Sequence, residues 1–220
     1  MKKIIIFISF LFIFSCSNSD IITSNDSNKN EDIIKSYTWV ILSLWDSITA
    51  WYWLDISYSY PSQLSDLLKE NSYNYEVINA WISWDTSKQL KDRSMLYIEK
   101  NPDIVIIVIW WNDWLRWLEL AQMKNNIQDI IDLYSDKKII LWWMDIPVNL
   151  WLKYRNDFKN VYKELANENP DIYFIDFFLE WVAWDISLNL NDRIHPNKEG
   201  YSIIVNNLYN FMLKNNLLNK

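Results

Sequence analysis

Five short apolar runs are spaced along the chain, and longer stretches of mixed polarity separate them. Each run is apolar throughout rather than alternating, which is typical of strands buried on both faces of a sheet. The stretches between them place apolar residues three and four positions apart, as helices with one buried face do. The predicted strands are 38–44, 75–79, 103–109, 138–142 and 171–176, and the predicted helices lie near 58–71, 87–100, 118–134, 152–168 and 197–214.

This alternation of strand and helix predicts an α/β fold, with a five-stranded parallel sheet covered by helices on both faces. In open sheets of this kind the functional groups collect beyond the carboxyl ends of the strands. The most distinctive segments of the sequence follow the first three strands or precede the last helix: "WDSIT", "AWISWDTS", "WWNDWLRW" and "NDRIHPN".

The N-terminus has the pattern of an export signal. Lys2 and Lys3 precede an apolar run, Ile4–Phe14, that is too short for a membrane span of about 20 residues and suits a signal peptide. We therefore predict a signal peptide over 1–16. "IFSC" resembles a bacterial lipobox, although Phe14 is bulkier than usual before Ser15, and Cys16 would become the lipidated first residue of the mature protein. An ordinary secretory signal with an incidental cysteine is the alternative. Cys16 is the only cysteine, so no disulfide within the chain is expected.

The remaining chain divides by composition into two parts. Residues 17–36 are polar and rich in Asn, Ser and Asp, which predicts a disordered tether. Residues 37–220 are long enough for one domain with its own core. We expect a monomer anchored by lipid at the cell envelope, on the periplasmic or extracytoplasmic face, with a secreted protein as the alternative. The net charge of −7 and the lack of a Lys/Arg cluster argue against a nucleic-acid partner.

Tryptophan and glycine occur in unusual numbers, with 15 Trp and one Gly. An average composition of about 7% would give roughly 15 glycines in this length. The tryptophans lie at strand ends, where turns favour glycine because it accepts positive φ without a Cβ clash. We hypothesise that most of them stand for glycine, as happens when UGA codons that some bacteria read as glycine are translated as tryptophan. Deliberate substitution of glycine by tryptophan would look the same, and an aromatic core or sugar-stacking surface is the alternative.

The only histidine, His195, is the one imidazole available for acid–base chemistry. Asp192 lies three residues before it, and this spacing can bring the carboxylate to Nδ1 and leave Nε2 to take a proton. An Asp-x-x-His pair also occurs by chance, and a lone histidine is often structural or solvated. A metal site is not expected, because one histidine without a second soft ligand coordinates metal poorly.

Ser47 is the candidate nucleophile, since His195 could accept its proton. The resulting oxyanion would need hydrogen-bond donors. Candidates are the backbone N–H of Ser47, an N–H in the loop after the second strand, and the side-chain amide of Asn112. Taken alone, Asn112 would be an ordinary turn residue.

With tryptophan read as glycine, these segments carry a family resemblance. Trp45–Ile48 becomes "GDSI", and the later segments become "NAGISGDTS", "GGNDGLRG", "GGMDIPVNLG" and "FLEGVAG". The chain from about 38 to 214 then resembles the SGNH, or GDSL, hydrolases, and most closely their thioesterase I / lysophospholipase / arylesterase branch. Trp39 matches no glycine of the pattern.

The resemblance implies a fold, a reaction and a set of site residues. The fold would be a flavodoxin-like three-layer α/β/α sandwich. Ser47, Asp192 and His195 would form a catalytic triad, and the oxyanion donors would be the N–H groups of Ser47 and Trp84 with the Asn112 side chain. The enzyme would hydrolyse small acyl esters or thioesters without a cofactor. A carbohydrate O-deacetylase of the same family is one alternative, and a non-catalytic, Trp-rich envelope binding protein is another.

Overall fold

A computed structural model describes residues 36–45, 55–109, 112–116, 118–144, 152–193 and 195–220. The predicted signal peptide and its Cys16 lie outside these residues, as do positions 17–35 of the predicted tether and the candidate nucleophile Ser47. Within these ranges no helix combines the length and the apolarity needed to cross a bilayer.

The described strands form one parallel sheet of five strands. All six residues of the central strand are buried, and this burial on both faces explains why its sequence is continuously apolar rather than alternating. The strand order is β2-β1-β3-β4-β5, which is the flavodoxin-like order and confirms the predicted fold class. The strands are β1 Trp39–Trp45, β2 Tyr75–Trp81, β3 Ile104–Ile109, β4 Lys138–Trp143 and β5 Tyr173–Ile175.

The helices cover both faces of this sheet. The order of strands reverses direction after β2, so right-handed crossovers place the first helix on one face and the next ones on the other. The packing agrees, since α1 packs against α6, and α4 packs against both α2 and α5. The helices are α1 Tyr60–Glu70, α2 Ser87–Ser94, α3 Asn112–Leu115, α4 Leu120–Leu133, α5 Leu152–Glu168 and α6 Lys198–Lys214.

Two local features differ from the sequence prediction. The predicted helix 87–100 is α-helical only as far as Ser94, and Met95–Lys100 continues as a tighter 3₁₀ helix that ends at Asn101 with φ 45°. The segment that begins at Asn112, which taken alone would be an ordinary turn residue, forms the single helical turn α3. Its first residue is Asn112, so the turn presents a candidate site residue directly after β3.

Candidate active site

The carboxyl ends of β1, β2 and β3 lie side by side at one edge of the sheet. Trp45 ends β1 two residues before Ser47, and it pairs with Trp81 at the end of β2 and with Val108 in β3. The strand order reverses between β1 and β3, and such switch points form the crevice in which open α/β sheets bind ligands. The ends of these three strands therefore meet at the expected place.

The loop after β5 returns to the same edge. The N–H of Phe178 donates to the carbonyl of Trp143, the last residue of β4, over 2.8 Å. The ring of Tyr60 lies 5.6 Å from that of Phe178 and 4.9 Å from that of Trp45. This aromatic contact links the loop that leads to His195 with the end of β1.

Asp192 and His195 form the close pair predicted from their spacing. Asp192 Oδ2 lies 2.6 Å from His195 Nδ1, and Asp192 Oδ1 accepts the backbone N–H of His195 over 3.0 Å. One carboxylate thus holds both the ring and the backbone of the histidine. Such a contact fixes the imidazole tautomer, because Nδ1–H donates to the carboxylate and Nε2 becomes the proton-accepting nitrogen.

Residues 185–193 and 195–197, which we call the acid–base turn after the role predicted for His195, are closed by short-range hydrogen bonds. Leu190 donates its N–H to the carbonyl of His195 over 2.7 Å, and Arg193 turns the chain with φ 59°. Asn197 caps α6 by accepting the N–H of Gly200. A Cβ at Gly200 would lie 2.2 Å from the carbonyl oxygen of Leu188, so the only glycine of the sequence occupies a close backbone approach.

The Asp192 carboxylate affects the pKa of a buried tyrosine in α6. Burial, followed by the negative charge of Asp192, raises the pKa of Tyr201 well above its ordinary value. Tyr201 is therefore a neutral hydroxyl at physiological pH.

A second group of polar residues joins the loop after β2 to α3. The Asn112 side-chain amide donates to the carbonyl of Asp85 over 3.0 Å, directly beside position 84. Asp113 accepts two hydrogen bonds from Ser87, at 2.8 Å from its N–H and 2.5 Å from its hydroxyl. Asn126 donates to the Ser87 hydroxyl over 2.9 Å. We call these five residues the oxyanion network, after the role predicted for Asn112.

The oxyanion network is buried, and this burial affects the pKa of its carboxyl group Asp113. Asn112 and Asp113 are each 1% exposed. Burial raises the pKa of Asp113, and the hydrogen bonds from Ser87 act in the opposite direction. Within the described ranges, no group of three or more His, Cys, Asp or Glu side chains is placed to hold a metal ion.

Comparison with known proteins identifies the family of the chain. The model of the GDSL-like lipase/acylhydrolase family matches residues 46–203. An arylesterase of Vibrio mimicus is 32% identical over 162 residues, covering 72% of this chain and 80% of that protein. The esterase TesA of Pseudomonas aeruginosa is 32% identical over 159 residues, covering 71% and 79%. A crystal structure of TesA superposes with a TM-score of 0.72 at 30% identity, covering 79% of this chain and 97% of that one.

The chain belongs to the GDSL-like lipase/acylhydrolase family. Its fold and its expected class, a hydrolase of carboxylic esters or thioesters, are thereby confirmed at the level of the family. The role of each predicted site residue stays a prediction.

Three tryptophans of this GDSL-family chain have backbone conformations that suit glycine. Trp84, Trp181 and Trp184 have φ of 67°, 66° and 73°. Positive φ is an outlier for a bulky side chain, because Cβ clashes with its own backbone. All three lie in segments where the family pattern reads glycine, and their side chains are more than half exposed.

In three other tryptophans the indole N–H is buried and lacks a partner. The indole N–H groups of Trp81, Trp142 and Trp143 have no acceptor among the described residues. Buried donors are nearly always paired in native structures, so each is an anomaly. Trp45 is different, since its indole N–H donates to the Asn79 side chain over 2.9 Å. Trp39 lies within β1 and packs against Tyr75.

Sequence reasoning did not identify most of the oxyanion network. Asp85, Ser87, Asp113 and Asn126 meet only through the fold, since Ser87 and Asp113 are 26 positions apart in the chain. One local sequence pattern does indicate part of this region. Thr86 and Gln89 have the S/T-x-x-E/Q spacing of a capping box, and they form one at the start of α2. That signal fixes where α2 begins and therefore where position 84 lies.

Proposed function

We propose that this chain is a serine esterase or thioesterase that cleaves acyl esters through an acyl-enzyme on Ser47. His195 is the general base and acid, and Asp192 orients it. The backbone N–H groups of Ser47 and position 84, with the Asn112 side chain, stabilise the oxyanion. Small or medium acyl groups, in aryl esters, thioesters or lysophospholipids, are the proposed substrates.

The contact between Asp192 and His195 is the observation that carries this proposal. A carboxylate 2.6 Å from Nδ1 of the only histidine prepares one ring nitrogen for proton transfer. The second support is the hydrogen bond from Asn112 to Asp85, which joins two of the three proposed donor segments. The similarity to an arylesterase and an esterase at 32% identity favours acyl esters as the substrate class.

The proposed reaction has two steps. His195 Nε2 takes the hydroxyl proton as Ser47 attacks the carbonyl carbon, and the donors bind the oxyanion that forms. The proton then passes to the leaving alcohol or thiol, which departs and leaves Ser47 acylated. Water attacks the acyl-enzyme with His195 again as base, and the acid is released.

We further propose that glycine occupies every tryptophan position except Trp39 in the active protein, a form that we call the glycine form. The positive φ of Trp84 supports this, because an oxyanion donor at that position needs an unstrained left-handed backbone. Mass spectrometry of the protein from its native host tests it. Tryptophan masses at positions 84, 181 and 184 would contradict the proposal.

The test of the activity is hydrolysis of p-nitrophenyl esters of increasing acyl length by the glycine form of the full chain. We expect turnover that falls by about 10⁶-fold in the Ser47→Ala variant. Activity that survives this substitution would reject Ser47 as the nucleophile. Acetylated glycans in the same assay would reveal an O-deacetylase instead, if they are turned over faster than any acyl ester.

We also propose that Cys16 carries a lipid and anchors the enzyme at the cell envelope. Labelling of growing cells with a radioactive fatty acid should mark the protein. A Cys16→Ser variant should lose the label and leave the membrane fraction. An unlabelled parent protein in the culture medium would instead indicate an ordinary secretory signal.

A further inference from the structure

Arg93 is a buried arginine in the last turn of α2, and its side chain is 9% exposed. Its Nε donates to the Asp85 carboxylate over 2.5 Å. Its Nη2 donates to the carbonyl of Trp45 over 2.9 Å, and its Nη1 donates to the carbonyl of Ala80. One guanidinium thus contacts the end of β1, the end of β2 and the loop that follows β2.

Each of these contacts lies within four residues, along the chain, of a proposed oxyanion donor. Trp45 ends β1 two residues before Ser47, and Ala80 lies near the end of β2, four residues before position 84. Asp85 follows position 84 directly, and its own carbonyl accepts the hydrogen bond from Asn112. Arg93 therefore connects to all three donor segments, to the third through Asp85.

The planar guanidinium suits this task better than other side chains. It presents several N–H donors in a fixed fork, so the acceptors that it binds are held at fixed relative positions. A lysine ammonium could pair with Asp85 but would not reproduce the fork. An apolar residue of similar size would often be as stable as a buried ion pair, so stability alone is a weak reason for an arginine here.

We infer that Arg93 is a positioning residue that sets the relative placement of the three oxyanion donors. This inference rests on the proposed function, because it concerns the same site. Arg93 makes its contacts to the strand ends and to Asp85, and it acts on the reaction only through the donors that those segments carry. Loss of the fork should therefore weaken stabilisation of the transition state more than binding of the substrate.

The test compares Arg93→Met with the parent glycine form, using p-nitrophenyl ester hydrolysis. A fluorophosphonate titration of active sites corrects kcat for any molecules that fail to fold. We expect kcat per titrated site to fall by about tenfold to 100-fold, with KM within about twofold. Arg93→Lys should recover part of the loss. Lys91→Met is the matched control, since Lys91 lies on the same helix and pairs with Asp129 at the surface.

A double substitution tests whether Arg93 acts through the oxyanion donors. If it does, adding Asn112→Ala to Arg93→Met should reduce kcat by much less than Asn112→Ala does alone, because the donors are already displaced. Full additivity of the two effects would contradict the inference. Equal kcat per titrated site in the parent and in Arg93→Met would also contradict it, because a purely structural residue changes only the number of active molecules.

A variant with a smaller structural change covers the case in which Arg93→Met does not fold. Asp85→Asn keeps the volume of the side chain and removes the charge that Arg93 pairs with. We expect a smaller fall in kcat per titrated site than in Arg93→Met, by about threefold to tenfold. An unchanged value would overturn the inference. A parent protein without esterase activity would reject the proposed function itself and this inference with it, whereas an active parent with unaffected variants rejects this inference alone.

Discussion

The acid–base turn and the oxyanion network hold their functional groups in opposite ways. The pair Asp192 and His195 is three residues apart and partly exposed, with side-chain exposures of 44% and 24%. The oxyanion network is buried, and its hydrogen bonds join residues 26 to 39 positions apart. A change in the turn should therefore alter chemistry with little effect on folding, whereas a change in the network should alter both.

The largest loss of activity is expected from removal of the imidazole ring of His195. His195→Ala removes the only imidazole, so we expect kcat to fall by about 10⁵-fold, with esters of p-nitrophenol as substrates. The thermal unfolding midpoint should stay within about 2 °C, because truncation of a partly exposed side chain costs little stability. A large loss of stability in this variant would show that the turn is part of the core, and would contradict the proposed difference between the turn and the oxyanion network.

The next largest loss of activity is expected for only one of two similar carboxylates in the acid–base turn. Asp192 and Asp185 both accept backbone N–H groups, but only Asp192 also contacts the imidazole. We expect Asp192→Asn to reduce kcat by about 10⁴-fold through loss of the correct tautomer, and Asp185→Asn to change it by less than about threefold. Steady-state kinetics of the two variants, side by side, measure the difference. Equal losses would mean that both residues act only by shaping the turn.

A smaller loss of activity, accompanied by a loss of stability, is expected in the oxyanion network. Asn112→Ala should lower kcat by about 10²- to 10³-fold, as loss of one oxyanion donor does. It should also reduce the free energy of unfolding by about 1–3 kcal/mol, because it removes a buried hydrogen bond. Asn126→Ala is the matched control, since this buried amide belongs to the network without being a proposed donor. Similar kcat losses in the two variants would contradict the role of Asn112.

The smallest effect concerns the pH dependence of stability. The pKa of Asp113 is raised in the folded state by burial, so ionisation of this carboxyl costs folding free energy. Its contribution to stability is therefore present below its unfolded pKa of about 3.8 and is lost as pH rises through the higher folded value. Denaturant unfolding between pH 3 and about 7 should show the stability of the parent falling relative to Asp113→Asn as pH rises. The opposite slope would mean that hydrogen bonds to Ser87 outweigh burial.

The same contrast explains which features could be predicted from the sequence. The buried strands could be predicted because their residues are continuously apolar. The Asp192–His195 pair could be predicted because its contact lies within one turn. The oxyanion network could not, because its partners meet only after the sheet has formed. Arg93 gave no signal at all, since "KDRS" is the pattern of an exposed, charged helix, whereas its side chain is buried against two strand ends.

The tryptophans show a second limit of sequence reasoning. Their position at strand ends indicated glycine, and the left-handed backbone at Trp84, Trp181 and Trp184 agrees with that interpretation. Trp45 follows the same sequence pattern, yet it lies in regular strand and its indole is hydrogen-bonded. Sequence pattern alone therefore did not distinguish turn positions that require positive φ from strand positions that do not.

Covalent labelling of the glycine form with a fluorophosphonate, followed by tryptic peptide mass spectrometry, tests whether Ser47 is the nucleophile and His195 its base. The peptide 36–69 contains Ser47 together with the tryptophan positions 39, 45, 51 and 53. We predict one phosphonyl group per chain on Ser47 of this peptide, and almost none after His195→Ala. An adduct on another residue, or none on a folded and active protein, would contradict it.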